Sequence, residues 1–231
     1  MLQRLLFIWA IRHPASGYVQ GINDLATPFM VSFIIDKLYA GDLNKIPGLG
    51  QPGTASEALD ENTEYIVEAD TFWCLTKLLD TIQDHFTFAQ PGIQRQVQAL
   101  ADIVKRVDSD LHHHLIDNQV EYMQFAFRWM NNLLMREIPL RCTIRLWDAY
   151  LAESDGFVSL HLFVCSAFLL FWKQILIQQT DFQGLLMLLQ SLPTSSWVDD
   201  DIELLLAEAF KLKYTYGDSP AHYSTKGHDG I

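Results

Sequence analysis

Apolar residues recur at three- and four-residue intervals along most of the chain, and no stretch alternates apolar with polar positions as a half-buried strand does. The pattern predicts an all-α protein. Helices are predicted over 2–13, from 24–27 to 39, and over 67–86, 93–115, 120–136, 139–153, 157–178, 182–192 and 198–213. Prolines mark several of the boundaries. Pro14 disfavours helical geometry in the residue before it, while Pro91 and Pro139 suit helix starts. The helix over 120–136 leaves only a narrow polar stripe between Phe125, Phe127, Trp129, Met130 and Leu133, so it must be largely buried.

Two segments break the periodicity. Residues 41–64 collect Pro47, Gly48, Gly50, Pro52, Gly53 and several carboxylates, the composition of a mobile surface insertion. Residues 217–231 are polar and read as a disordered tail, leaving 1–216 as the helical body.

Composition narrows the functional classes. The chain has 231 residues, 49% of them hydrophobic, enough for a full core. With 16 basic and 28 acidic residues its formal charge is −12, which argues against a nucleic-acid partner and against an anionic membrane surface. The apolar run 163–172 is far shorter than the roughly 20 residues of a membrane span, and the apolar N-terminal residues read as an amphipathic helix, not a signal peptide. Cys74, Cys142 and Cys165 sit in apolar helical pattern without metal-type pairing, as reduced thiols of the cytosol do.

Little in the chain looks built for self-contained chemistry. No glycine-rich phosphate cradle and no nucleophile elbow occur. His112, His113 and His114 are consecutive, and neighbouring helical positions point about 100° apart, which keeps them from converging on one metal ion. Trp73, Trp129, Trp147, Trp172 and Trp197 lie in apolar surroundings and read as core. Arg128, Asn132 and Arg136 fall at four-residue steps on one predicted helix, with Arg141 and Arg145 following near Asp148. These arginines either pair with carboxylates such as Glu137 and Asp148 or contact a phosphate.

The most distinctive stretch is Ser16-Gly17-Tyr18-Val19-Gln20-Gly21-Ile22-Asn23-Asp24. Gly17 and Gly21 can bracket a tight loop that pushes Tyr18 and Gln20 outward. Asn23, Asp24 and Thr27 can each cap the helix that follows, with Pro28 in its first turn. On spacing alone this is a helix-to-helix turn with a polar tip.

Its residue identities say more. The run Tyr-x-Gln-Gly-hydrophobe-Asn-Asp resembles the finger motif of TBC-domain proteins, the GTPase-activating proteins of Rab-family small GTPases. A second match follows in the family's order, in Phe127-Arg128-Trp129, Arg136-Glu137 and Leu146-Trp147-Asp148. Within the family the chain most resembles the member-22 type. The resemblance implies a two-lobed helical domain acting on a partner Rab in its GTP state, with GTP and magnesium belonging to that partner and no cofactor of its own. It also implies a cytoplasmic regulator of vesicle trafficking, recruited to the cytosolic face of an endomembrane such as the Golgi.

Gln20 then takes the catalytic place, orienting the attacking water, while Tyr18, Gly21, Asn23, Asp24 and Arg128 stand as partner-binding residues. The family's arginine finger belongs to an Ile-x-x-Asp-x-x-Arg segment upstream of this loop, and neither Arg4 nor Arg12 lies in such a segment. The expectation is an N-terminally truncated TBC domain with weak activity. A non-catalytic Rab-binding or protein-interaction adaptor is the alternative.

Overall fold

The computed structural model describes residues 1–14, 16–39 and 59–217. Among these residues the regular structure is entirely helical. Eleven α-helices follow in order: α1 (Leu2–Arg12), α2 (Ile22–Tyr39), α3 (Glu61–Thr81), α4 (Pro91–Val107), α5 (Ser109–Asp117), α6 (Met123–Asn132), α7 (Leu140–Ala152), α8 (His161–Phe171), α9 (Lys173–Leu176), α10 (Phe182–Gln190) and α11 (Asp199–Tyr216). A short 3-10 turn (Gln83–His85) precedes α4, and a π-turn (Gly156–Leu160) leads into α8.

The helices pack as two groups. In the first, α1, α2 and α3 lie against one another. In the second, α8 is the central element, covered by α11 and α4, with α5, α6 and α7 around them. The groups meet where α2 crosses α6 and α7, and one hydrophobic core runs through both. Burial of both the apolar and the few polar residues of α8, from His161 to Leu169, explains its long apolar run as a core helix. Among the described residues no helix is long and apolar enough to cross a membrane.

Trp129 shows how the second group is locked. Its fully buried ring meets Phe125 and Phe168 edge-on, with centroids 5.1 Å away in each case. Its carbonyl receives His161 Nε2 at 3.2 Å, and His161 Nδ1 lies 2.9 Å from the Tyr150 hydroxyl. Burial holds the His161 imidazole down at about 3, so it stays neutral there.

Several boundaries differ from the sequence expectation. Part of the expected insertion over 41–64 is helix, because Asp60 accepts the Thr63 amide at 3.0 Å and caps α3 from Glu61. The remainder, up to residue 58, lies outside the described residues, as does the tail over 218–231. Helix α2 begins earlier than expected. The Gly21 carbonyl already accepts the amides of Asp24 and Leu25, placing Asn23, Asp24 and Thr27 inside the helix and Pro28 in its second turn. The expected helix over 93–115 is broken at Asp108, whose carboxylate accepts the Leu111 amide at 3.0 Å and starts α5 afresh.

The expected helix over 120–136 ends at Asn132. Leu133 and Leu134 take left-handed conformations at φ +50° and +61°, each costing roughly 1–2 kcal/mol for a residue with a side chain. Complete burial of both leucines offsets that cost, and the Leu133 carbonyl receives Trp147 Nε1 at 3.2 Å. Arg136 therefore leaves the helical stripe and turns toward α2. The expected helix over 157–178 is likewise divided at Trp172, and Trp73 is 61% exposed, not core.

Candidate functional site

The loop between α1 and α2 carries Gln20 at the surface. It starts where α1 ends, with the amides of His13 and Gly17 bonded to the Trp9 and His13 carbonyls at 3.0 and 2.8 Å. Gly17 and Gly21 supply the two positive φ values the turn needs, +59° and +110°. Between them, Tyr18 and Gln20 project outward, as their spacing predicted.

Asn23 straps this loop. Its Oδ1 accepts the Tyr18 hydroxyl at 3.0 Å and the Gly21 amide at 3.3 Å, one from each side of Gln20. Asn23 Nδ2 donates to Asp24 Oδ1 at 3.0 Å, and Arg136 donates to Asp24 Oδ2 through Nε at 2.7 Å and Nη2 at 2.6 Å. Beneath Gly21 lie the buried side chains of Asn131 and Asn132. Among the described residues, no hydrogen bond or ion pair holds the Gln20 side chain. Its amide is left with a free acceptor and two free donors at the loop tip.

Tyr18, Gln20, Gly21, Asn23 and Asp24 thus form one cluster. Arg128 does not join it. Its Nε and Nη2 grip Glu137 at 2.5 and 2.7 Å, and Nη2 also meets the Gln190 carbonyl at 2.6 Å. Glu137 has its side chain 2% exposed, so Arg128 neutralises a buried carboxylate. Arg128 and Arg136 border the same cavity of about 310 Å³ beside residues 190–195.

The other arginines pair with the last helix instead of with Asp148. Arg141 Nη2 meets Asp199 at 2.7 Å, and Arg145 meets Glu203 at 3.5 Å. Toward the N-terminus, Arg4 is engaged by Glu68 and lies over the Tyr65 ring, while Arg12 lies over Phe72. Neither reaches toward an acceptor near Gln20.

The histidines of α5 take separate partners. His112 Nδ1 lies 3.1 Å from the Tyr122 hydroxyl, and His114 Nε2 lies 2.8 Å from the Gln179 carbonyl. Among the described residues no group of histidines, cysteines and carboxylates is arranged to hold a metal ion. Cys142 and Cys165 are buried, free thiols, and burial pushes both up, Cys142 to about 11. Cys74 is half-buried.

Sequence reasoning missed the contribution of Arg136, Asn131 and Asn132. The signal for Arg136 lay in Arg136-Glu137 as part of the second motif, but its partner stands 112 residues earlier. The fold and the site together define an all-helical domain that presents an exposed amide on a strapped interhelical loop.

Comparison with known proteins gives that class its family. Residues 1–177 match the Rab-GTPase-TBC domain, and the chain belongs to that family. It is 56% identical over 223 residues to human TBC1 domain family member 22A, covering 96% of this chain and 42% of that protein. The fission yeast (Schizosaccharomyces pombe) GTPase-activating protein gyp1 is 50% identical over 224 residues, again covering 96% of this chain and 42% of the relative. The chain therefore spans about two-fifths of the length of the curated relatives it matches. In three dimensions it is similar to the crystal structure of the Ypt/Rab-GAP domain of Gyp1p, with a TM-score of 0.84 and 49% identity over 93% of this chain and 65% of that one.

Proposed function

We propose that this chain acts on a Rab-class small GTPase in its GTP state, with Gln20 entering the nucleotide site to orient the hydrolytic water. Hydrolysis by such a GTPase is slow because the water must be aligned and the charge on the transferring phosphoryl group stabilised. A primary amide suits the first task, since its oxygen accepts from the water while its nitrogen donates toward a phosphate oxygen. The observation that carries the reading is Gln20 itself, exposed and without a hydrogen bond to any described residue, on a loop fastened at both sides by Asn23. Tyr18, Gly21, Asn23 and Asp24 shape the contact around it. GTP and magnesium come with the partner.

The second task falls to an arginine, worth about 10³–10⁵ in rate. The 231 residues hold no Ile-x-x-Asp-x-x-Arg segment, and Arg4 and Arg12 are occupied on α3. By itself the chain supplies the glutamine alone, and its acceleration of hydrolysis is small. Its site of action is the cytosolic face of an endomembrane such as the Golgi.

A second reading, a protein-binding adaptor, draws on a different surface. Phe7 and Ile11 on α1 and Tyr65 and Trp73 on α3 expose half or more of their area. A panel of GTP-loaded Rab-class GTPases, each assayed with and without the chain under single turnover, separates the two. Acceleration of at least one member supports the activator. Binding without acceleration by any member supports the adaptor, and the absence of both contradicts the family reading for this chain.

A further inference from the structure

We infer that Arg136, 112 residues further along the chain than Asp24, is a positioning residue for Gln20, acting through the side chains of Asp24, Asn23 and Tyr18. The inference rests on the proposed activator function, and it assigns a role to a residue that touches neither nucleotide nor water. The relay runs from Arg136 to Asp24 Oδ2, from Asp24 Oδ1 to Asn23 Nδ2, and from Asn23 Oδ1 to both the Tyr18 hydroxyl and the Gly21 amide.

Each link constrains the next by donor and acceptor identity. Asn23 must present its oxygen to Tyr18 and Gly21, because both of those groups donate. If the amide turned over, its NH2 would face a donor at Gly21 and the strap would open. Asp24 Oδ1 blocks that rotation by accepting Nδ2, and Arg136 holds the carboxylate by occupying Oδ2 with two N–H groups. The backbone does not do this work. Main-chain bonds join the Gly17 amide to the His13 carbonyl, the Ile22 amide to the Val19 carbonyl, and the Asp24 and Leu25 amides to the Gly21 carbonyl, but among the described residues none engages the amide of Tyr18, Gln20 or Gly21.

Arg136 can reach Asp24 because the chain leaves α6 through the left-handed pair Leu133 and Leu134. The two buried leucines and the bond from Trp147 to the Leu133 carbonyl make the turn rigid, so the arginine is supplied from a fixed part of the core. Its guanidinium remains 47% exposed, while the Asp24 side chain is only 14% exposed. Replacement at Arg136 therefore disturbs the relay without opening the core.

Two readouts test the inference on the full chain. In hydrogen exchange, Arg136→Gln is expected to speed exchange at the Gly21 amide about tenfold and leave α8 and α11 unchanged. Asp24→Asn should reproduce it, and Arg141→Gln, which breaks an ion pair elsewhere, should not. Unchanged Gly21 exchange in Arg136→Gln and Asp24→Asn overturns the inference, whatever the hydrolysis assay shows.

The second readout is the kinetics with a GTP-loaded Rab-class GTPase. Arg136→Gln is expected to remove about half or more of the chain's acceleration above the partner's intrinsic rate while KM moves less than twofold, with Arg136→Lys recovering part of the loss. A rise in KM at constant kcat overturns positioning in favour of direct contact with the partner. Altered loop exchange in a chain whose wild type neither binds nor accelerates any GTPase leaves the relay in place and overturns the activator reading instead.

Discussion

The side-chain oxygen of Asn132 lies 3.1 Å from the point where a Cβ on Gly21 would stand, and Asn131 Nδ2 lies only 2.9 Å from it. Gly21 also has a φ of +110°, a conformation that residues with side chains rarely adopt. Gly21→Ala should therefore destabilise the domain by about 1–3 kcal/mol and displace the loop. Gly17 has nothing within 4 Å of its Cβ position and a φ of +59°, so Gly17→Ala should cost only about 1–2 kcal/mol. Denaturant melts of the two variants check the order, Gly21 being the more costly.

Tyr18 gives a contrasting case. Its ring is half exposed, and its hydroxyl makes a single bond to Asn23 Oδ1. Tyr18→Phe should leave stability within about 0.5 kcal/mol of wild type, as surface changes do. It should nevertheless reduce stimulated hydrolysis several-fold by loosening one side of the strap. Paired thermal melts and single-turnover rates on the same preparation decide this.

For Arg128 the balance runs the other way. Removing it leaves the Glu137 carboxylate buried without its counter-charge and frees the Gln190 carbonyl. Arg128→Met should cost about 2–4 kcal/mol, somewhat less than a fully buried pair because the guanidinium is partly exposed. Its melting temperature should fall more than its affinity for a GTP-loaded Rab-class GTPase. The reverse order would make Arg128 chiefly a partner contact.

Most helices were legible in the apolar periodicity, and Pro91 and Pro139 marked the starts of α4 and α7. The glutamine loop was legible too, because Gly17 and Gly21 are local signals of positive φ. What escaped was tertiary in origin. Leu133 and Leu134 look like helix formers, and only burial against α7 makes their left-handed turn affordable. The break at Asp108 hid because one capping carboxylate sits in otherwise continuous periodicity. Trp73 looked like core by its neighbours, whereas α3 turns that position to the surface. Arg136 could not be tied to Asp24 by any spacing rule, since the two stand 112 residues apart.

Acid should weaken the fold through His161. Its folded-state value is held at about 3 by burial, against about 6.5 in an unfolded chain. Above pH 6.5 both states are neutral and the stability is fully present; as pH falls below 6.5 only the unfolded chain gains the proton. Between pH 6.5 and 5 this removes about 2 kcal/mol, and His85, also lowered chiefly by burial, acts in the same direction. Melts across that window should show a steep decline in wild type and a shallower one in His161→Gln.

The central claim concerns Gln20, and single-turnover hydrolysis by a GTP-loaded Rab-class GTPase, with the intact chain and with Gln20→Ala, tests it most directly. Among the described residues nothing is bonded to this exposed side chain, so the variant should fold and bind as wild type does. The predicted result is a small acceleration by the intact chain, no more than about tenfold without an arginine finger, abolished in Gln20→Ala while binding persists. Equal acceleration by the two proteins would contradict the account.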